Sequence, residues 1–139
     1  MMNVDQIMST RLVTAKMDDP LKKVKKIFDK THFHHLMVVD GSKLYGIISD
    51  RDLLEALSPN IDSVSETLKD RASLSKRVHQ VMSRKPITLT PKANIYEAIS
   101  IFNSTKISCI PIVDDKFQPV GIVSWRDILK KLESMRTLS

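Results

Sequence analysis

The chain has 139 residues, of which 42% are hydrophobic and 27% charged, and its formal net charge at pH 7 is +6. This composition is ordinary for a globular protein long enough to bury one core, and no apolar run approaches the roughly 20 residues of a membrane-spanning helix. A single cysteine excludes a disulfide framework, and the first residues lack a signal-peptide pattern, so we expect a cytoplasmic protein without membrane attachment.

The first part of the chain predicts the element order β-α-β-β-α. Asp19 and Pro20 have the residue types of a helix N-cap and a first helical position, and Leu21, Val24 and Ile27 then follow at helical spacing. Two apolar segments joined by a short polar turn come next, which is typical of a β-hairpin. The predicted elements are a helical turn ending at Ser9, a strand at 12–14, a helix from residue 20, strands at His35–Asp40 and 44–49, and a helix from Arg51.

The positive charge is concentrated in the first of these helices, where five lysines lie between residues 22 and 30. A nucleic-acid surface and an ordinary solvated helix face are the two interpretations. The one aromatic residue among the lysines, Phe28, falls on the apolar face, so no platform for base stacking is predicted. The solvated face is therefore favoured, and nucleic-acid binding is the weaker alternative.

The same pattern returns later in the chain. Residues 46–54 have the sequence GIISDRDLL, and residues 121–129 have the sequence GIVSWRDIL. The similarity also covers the opening turn, the first strand and helix, and the hairpin, so the chain is an internal duplication. The second copy predicts a turn ending at Ser83, a strand at 86–89, a helix capped by Asn94 with Glu97 at capping-box spacing, strands at 109–114 and Pro119–Ser124, and a helix from Arg126.

The duplication predicts the domain organisation and an α/β (α+β) fold class. Residues 1–57 form the first predicted repeat, residues 58–76 a polar connector with a short helix at about 63–69, and residues 77–139 the second repeat. Because a repeat of this length is marginally stable alone, we expect the two repeats to share a core.

The repeated Gly-apolar-apolar-Ser-x-Arg-Asp motif combines groups that can bind a nucleotide. Gly46 allows close approach to the strand backbone, Ser49 stands where helix N–H groups favour an anion, and Arg51 can pair with phosphate oxygens. Asp52 can accept two hydrogen bonds from a ribose diol. The second copy has Gly121, Ser124, Arg126 and Asp127 at these positions. The alternative is that each Ser–Asp pair caps a helix and needs no ligand.

With these motifs in this order, the sequence resembles a tandem pair of cystathionine β-synthase (CBS) domains, a Bateman module, from Val4 to Leu132. Within that family it is similar to the stand-alone bacterial proteins of acetoin utilisation. The resemblance implies two β-α-β-β-α repeats packed about a pseudo-twofold axis, with two clefts between them. It also implies a regulatory homodimer that needs no cofactor, binds AMP, ADP, ATP or S-adenosylmethionine, and acts on an unidentified protein.

The resemblance further implies the residues of each cleft. The first cleft would contain Thr14, Ala15, Ser49, Arg51 and Asp52, and the second Thr88, Thr90, Ser124, Arg126 and Asp127. A pair from the opposite repeat would reach the phosphates, namely Ser108 and Cys109 in the Asp52 cleft and His34 and His35 in the Asp127 cleft. The Asp127 cleft should therefore bind phosphate more strongly, and increasingly so as the pH falls toward about 6. Met37 replaces the proline found at Pro111, which should loosen the strand in the first repeat.

Other functions are less well supported. His32, His34 and His35 have no cysteine nearby and only Asp29 as a close carboxylate, so a metal site is not favoured. No Ser-His-Asp or Cys-His set has diagnostic spacing, so an enzyme is not expected. An interaction protein with degenerate clefts is the alternative to nucleotide sensing. The predicted dimer face consists of Leu53, Leu54, Leu57, Ile128, Leu129 and Leu132.

Overall fold

A computed structural model describes residues 2–136. Met1, from the predicted first repeat, and residues 137–139, from the predicted second repeat, lie outside the described residues. The strands are β1 (Thr14–Lys16), β2 (His35–Asp40), β3 (Lys43–Ser49), β4 (Ser83–Arg84), β5 (Cys109–Val113) and β6 (Pro119–Ser124). The helices are α1 (Leu21–Lys30), α2 (Asp50–Ala56), α3 (Leu68–Ala72), α4 (Ile95–Ser104) and α5 (Trp125–Arg136). The predicted mixed α and β class is confirmed. Within the described part of the chain, no helix has the length and apolar content needed to cross a bilayer.

The chain forms two compact units, and each is built from separate stretches of sequence. Unit A consists of Val13–Gly41 and Tyr45–Lys85, and unit B of the residues up to Leu12, Ser42–Leu44 and the chain from Pro86 onward. Each unit therefore contains the helices and most of the strands of one sequence repeat, but not the opening segment of that repeat.

Unit A contains a four-stranded sheet in the order β1-β2-β3-β4. β1 runs parallel to β2 with Ala15 opposite Val38, and β4 runs antiparallel to β3 with Arg84 opposite Gly46. Alternate residues of β3 are buried, as expected for a strand that covers a core with one face. The core of unit A consists of Ala15, Leu21, Val24, Leu36, Val38, Ile48, Leu53, Val78 and Met82.

Unit B has a smaller sheet, in which β5 and β6 pair antiparallel with Cys109 opposite Ser124. Single bridges extend this sheet on both sides, with Leu89 parallel to β5 and Ser9 antiparallel to β6. The unit B core consists of Val4, Ala93, Ile95, Ala98, Ile110, Ile112, Val123 and Ile128.

Each repeat's opening segment (residues 2–9 and 76–83) packs in the unit that contains the hairpin of the other repeat, so the two segments are exchanged. In unit B the N–H of Val4 donates to the carbonyl oxygen of Ala93 at 2.8 Å, and in unit A the N–H of Val78 donates to that of Asp19 at 2.9 Å. Both valines have no exposed surface. Each opening segment therefore completes the core that contains the hairpin of the other repeat.

The two motif glycines lie where these exchanged segments cross the sheet. A Cβ atom at Gly46 would lie 2.7 Å from the carbonyl oxygen of Ser83 and 2.8 Å from the Sδ of Met82, and one at Gly121 would overlap the side chain of Met8. The close approach predicted at both glycines therefore involves the exchanged segment of the chain itself.

Two predicted strands differ from the structure because their neighbours decide their limits. The first lies at β1 and not at 12–14, since β1 is the stretch that pairs with β2. The predicted strand at 86–89 is reduced to the single bridge at Leu89. Pro111 of β5 has no N–H to donate to this neighbour, which shortens the ladder. Met37 takes the equivalent position in β2 and pairs with Thr14 of β1; that it loosens the first repeat stays a prediction.

The helix caps agree with the sequence in one repeat and differ in the other. Asn94 accepts a hydrogen bond from the N–H of Tyr96 at 2.8 Å, so the predicted cap of α4 is confirmed. Asp19 does not cap α1, because Pro20 occupies the N-cap position and the Asp19 carboxylate accepts from the N–H of Lys16 at 2.8 Å. Asp19 instead stabilises the turn that leads into α1.

The connector helix starts later than the predicted range of 63–69. Thr67 is its N-cap and forms a capping box with Asp70, in which the Asp70 carboxylate accepts from the N–H of Thr67 at 2.9 Å. This local pair places the start of α3 at Leu68.

The six residues predicted to form a dimer face differ in burial, and Leu57 is half-buried against the core of unit A. Leu53 and Ile128 are only 4% and 6% exposed and belong to the two cores, so including them was wrong. Leu54, Leu129 and Leu132 are 73%, 53% and 54% exposed. Neighbouring positions on a helix point about 100° apart, so burial of Leu53 leaves Leu54 outside.

Candidate functional site

The residues of the repeated motif lie at one end of each sheet. In unit A, Thr14 is the first residue of β1 and His35 is the first residue of β2. Ser49 is the last residue of β3, the second strand of the β2–β3 hairpin. Because β1 is parallel to β2 and a tight turn reverses the chain into β3, these three residues lie at the same end of the sheet. In unit B, Cys109 at the start of β5 is directly opposite Ser124 at the end of β6. Each motif serine thus lies beside the beginning of a neighbouring strand.

Both Ser–Asp pairs form capping boxes at the following helix. The N–H of Asp52 donates to Ser49 Oγ at 3.0 Å, and the N–H of Ser49 donates to Asp52 Oδ2 at 2.9 Å. The corresponding distances for Ser124 and Asp127 are 3.2 and 2.8 Å. The helix-cap interpretation is therefore confirmed in both copies. Among residues 2–136, no group donates to Oδ1 of either aspartate, so capping leaves one carboxylate oxygen of each able to accept from a ligand.

A groove of about 400 Å³ lies beside Asp52 in unit A. This volume is within the range of roughly 300–1,000 Å³ that is usual for small-molecule sites. Its lining residues are Asp52, Glu55, Ala56, Lys76, Gln80 and Val81. The Nζ of Lys76 donates to the carbonyl oxygen of Ala56 at 2.8 Å, at the end of α2. The sequence motifs did not identify Glu55, Lys76 or Gln80, and no local pattern could place the exchanged segment beside α2.

His34 contacts the first residue of α2 in its own repeat. Its Nδ1 lies 2.8 Å from Asp50 Oδ2, and its carbonyl oxygen accepts from the N–H of Asp50 at 2.9 Å. In the second repeat Trp125 replaces this aspartate, and only the backbone bond remains, from the N–H of Trp125 to the carbonyl oxygen of Ser108 at 3.4 Å. The role of Asp50 was not predicted, although its replacement by tryptophan is the main difference between the two motifs.

Burial shifts the pKa of two predicted phosphate-binding residues. Desolvation lowers the pKa of His35 from its ordinary value of 6.5, although the Asp50 carboxylate opposes this shift. His35 is therefore harder to protonate than an exposed histidine, which weakens its expected contribution to phosphate binding toward pH ~6. Burial also raises the pKa of the Cys109 thiol to about 12, so this thiol carries no charge at neutral pH.

The two motif arginines have different surroundings. The Arg126 guanidinium carbon lies 5.9 Å from the centre of the Trp125 ring, a cation–π distance, and both side chains are exposed. Arg51 is also exposed, but it follows Asp50 and has no aromatic neighbour in the motif. Stacking on Trp125 restricts Arg126, so the two arginines are not equivalent anion-binding groups.

Each unit contains the cleft residues that come from its own repeat. Unit A contains Thr14, Ala15, His34, His35, Ser49, Arg51 and Asp52, and unit B contains Thr88, Thr90, Ser108, Cys109, Ser124, Arg126 and Asp127. Thr14 and Thr90 are exposed, whereas the side chain of Ala15 is part of the core. The assignment of His34 and His35 to the Asp127 cleft stays a prediction. Across residues 2–136, no three His, Cys, Asp or Glu side chains are placed to hold a metal ion.

Comparison with known proteins relates the two repeats to one family. The CBS domain model matches the chain twice, at residues 4–59 and 78–134. A CBS domain-containing protein of Dictyostelium discoideum is 33% identical over 131 residues, which are 93% of this chain and 90% of that protein. An uncharacterized protein of Methanocaldococcus jannaschii is 30% identical over 181 residues, and this chain spans only 43% of its length.

Solved structures of paired repeats match nearly the whole chain. A protein assigned to acetoin utilization (AcuB) from Vibrio cholerae has a TM-score of 0.80 and 26% identity, over 99% of this chain and 95% of that one. The CBS domain pair of protein MJ0100, solved with 5'-methylthioadenosine and S-adenosyl-L-methionine, has a TM-score of 0.79 and 28% identity, over 96% of this chain and 98% of that one.

Proposed function

Because this chain belongs to the CBS-domain family, as its repeated motifs predicted, we propose that it is a regulatory module that binds an adenosine compound and transmits the bound state to a partner protein. In this role the module has no catalytic activity of its own. The ligand is AMP, ADP, ATP or S-adenosylmethionine, and the two repeats provide two sites.

The observation that carries this proposal is the duplicated Ser–Asp arrangement at the end of each sheet. In both copies one carboxylate oxygen holds the helix cap, while the other accepts no hydrogen bond within residues 2–136. A carboxylate can accept from both hydroxyls of a ribose, which are two donors in a fixed geometry. Asp52 and Asp127 are therefore the ribose acceptors in our proposal, and the groove beside Asp52 gives the first of them space for a ligand.

The ligand class is supported by the MJ0100 domain pair, which is 28% identical and was solved with two adenosyl compounds. Neither of those ligands contains a phosphate group, whereas Arg51 and Arg126 are suited to pairing with phosphate oxygens. We therefore include the adenosine phosphates among the candidates and compare them directly.

A thermal-shift series with AMP, ADP, ATP and S-adenosylmethionine tests the proposal, with GMP and free adenine as controls. A ligand that binds only the folded state stabilises it by about 2.7 kcal/mol at a concentration about 100 times its dissociation constant. We expect stabilisation by at least one adenosine compound and little by the controls. If none of them shifts the transition at about millimolar concentration, the module is not an adenosine sensor.

A matched set of variants separates ligand binding from helix capping. Asp52→Ala and Asp70→Ala each remove the N3 half of a capping box, so both should lower stability while the Ser49 and Thr67 hydroxyls still cap their helices. Only Asp52→Ala should also weaken ligand binding at its site, by about tenfold or more, since a hydrogen bond to a charged group contributes about 1.5–3 kcal/mol. Equal ligand affinities in the two variants would leave Asp52 with a structural role only.

A second candidate function is protein interaction through a dimer, and the exposed leucines of α2 and α5 favour it. Leu54, Leu129 and Leu132 are more than half exposed, although their helices have other apolar residues in the cores. A twofold pairing is the commonest way in which a protein covers such a surface. Sedimentation that detects only monomer at about 50 µM would contradict this candidate.

A further inference from the structure

The outward face of α1 has a row of lysines without acidic partners. Lys22, Lys26 and Lys30 lie one turn apart and are exposed, and within residues 2–136 none of them approaches a carboxylate closely enough for an ion pair. We call these three residues the lysine stripe. The other lysines of the helix differ, since Lys23 lies 3.4 Å from Asp19 and Lys25 pairs with two aspartates.

The fold does not require this stripe. The equivalent positions of α4 in the second repeat are Tyr96, Ser100 and Ser104, and α4 forms a helix of the same ten residues' length. Both helices bury the same positions, Leu21 and Val24 in α1 and Ile95 and Ala98 in α4. Like charges one turn apart destabilise a helix. The stripe therefore destabilises α1 by repulsion between its lysines, whereas the equivalent positions of α4 have no such repulsion.

The connector adds further charges on one side of the stripe. Lys25 contacts Asp29 at 2.7 Å and Asp62 at 2.9 Å, and Arg71 contacts Asp62 at 3.1 Å. These contacts raise the pKa of Lys25 and lower that of Asp62, so both groups stay charged across the neutral range. A depression of about 90 Å³ lies here, lined by Lys22, Lys25, Lys26, Asp29, Asp62, Arg71 and Leu74. The pairing among connector and α1 charges leaves the stripe as the unneutralised part of this surface.

We propose that the lysine stripe is a docking surface for an acidic segment of a protein partner. Lysines four residues apart on a helix are separated by about 6 Å along its axis, and alternate side chains of an extended peptide are about 6.6 Å apart. An extended segment with acidic residues at alternate positions therefore matches the stripe in spacing and charge. A nucleic acid fits less well, because the stripe offers no aromatic side chain for base stacking: Phe28, the one aromatic residue of α1, packs against the core of unit A.

The proposal rests on the proposed function only in that a regulatory module needs a partner. The stripe residues do not line the groove beside Asp52, so docking and ligand binding can be measured separately. The probe is a fluorescent peptide of about 12 residues with glutamate and threonine in alternation, long enough to span the stripe. Its control is the same peptide with glutamine in place of glutamate, and a DNA duplex of about 12 base pairs tests the nucleic-acid alternative.

Two triple variants make the test specific. The stripe variant is Lys22→Gln, Lys26→Gln and Lys30→Gln, and the control variant is Lys43→Gln, Lys116→Gln and Lys130→Gln. Both remove three exposed lysines that form no ion pair within residues 2–136, and both lower the formal net charge from +6 to +3. Glutamine has nearly the helix propensity of lysine, so α1 should remain folded.

We expect the wild-type chain to bind the glutamate peptide in fluorescence anisotropy, with an affinity that falls as salt is added. The stripe variant should bind about tenfold more weakly, while the control variant should stay within about twofold of wild type. Equal losses in the two variants, no binding by wild type, or tighter binding of the DNA duplex would each overturn the proposal. Adenosine ligand affinity, measured in parallel, should be the same in all three proteins, and its absence in all three would refute the proposed function without affecting the stripe.

Discussion

Substitution of Gly121 by alanine should destabilise the protein because an exchanged segment lies against this residue. The new Cβ would overlap the side chain of Met8, with the Cγ of Met8 at 2.8 Å. Real Cβ atoms do not approach other atoms this closely, so Met8 must move. Overpacking of this kind costs about 1–3 kcal/mol.

The colliding atoms at Gly121 all belong to one side chain, so a second substitution should relieve the collision. Met8→Ala removes the Sδ and Cγ atoms that collide with the new Cβ. Substitution of a buried methionine by alanine costs roughly 2–5 kcal/mol. Because Met8 is only half-buried, Met8→Ala alone should cost an amount near or below the lower end of that range. The double variant should then be more stable than the sum of the single effects predicts, by about 1–3 kcal/mol.

The equivalent pair in unit A is the control. A Cβ at Gly46 would meet the Sδ of Met82 at 2.8 Å but also the backbone oxygen of Ser83 at 2.7 Å, which no side-chain substitution removes. Gly46→Ala should therefore stay destabilising in a Met82→Ala background. Urea unfolding of all variants gives both coupling energies, provided that the m-values agree. Additive effects at Gly121 and Met8 would refute the packing of the exchanged segment against Gly121, and equal coupling in the two pairs would refute the additional backbone contact at Gly46.

Three further predictions concern the sites, the pH response and assembly. Asp127→Ala should weaken the tighter nucleotide site by about tenfold or more, while Asp52→Ala leaves it nearly intact, and calorimetry with the opposite result would show that the two sites are interchanged. Burial lowers the pKa of His35, so the folded protein disfavours the protonated imidazole. The contribution of neutral His35 to the free energy of unfolding is therefore complete above pH ~6.5 and is lost as the pH falls through the lowered pKa. His35→Gln should flatten this acid-side decline in urea unfolding, and an unchanged slope would contradict the assignment. Replacing Leu129 and Leu132 by lysine should shift sedimentation from dimer to monomer, and an unaffected dimer would exclude this face.

Features that depend on near neighbours in the chain could be predicted from the sequence. The strand pair at β2 and β3 rests on two apolar segments joined by a short polar turn. The cap of α4 by Asn94 and the two Ser–Asp capping boxes rest on contacts two or three residues apart. The duplication needed only comparison of the chain with itself, and it led to the family that the CBS domain model then matched.

Tertiary contacts decided the features that join distant parts of the chain. The sequence placed the opening segments with their own repeats, whereas Val4 bonds to Ala93 and Val78 to Asp19, each across more than fifty residues. The same long-range packing brings Lys76 beside Asp52 and separates buried Leu53 from the exposed leucine that follows it. Because the sequence is duplicated, the two opening segments are similar in shape, and each would fit the hairpin of either repeat equally well. Which copy each segment packs against depends on the path of the chain between them, and no local pattern of residues encodes that path.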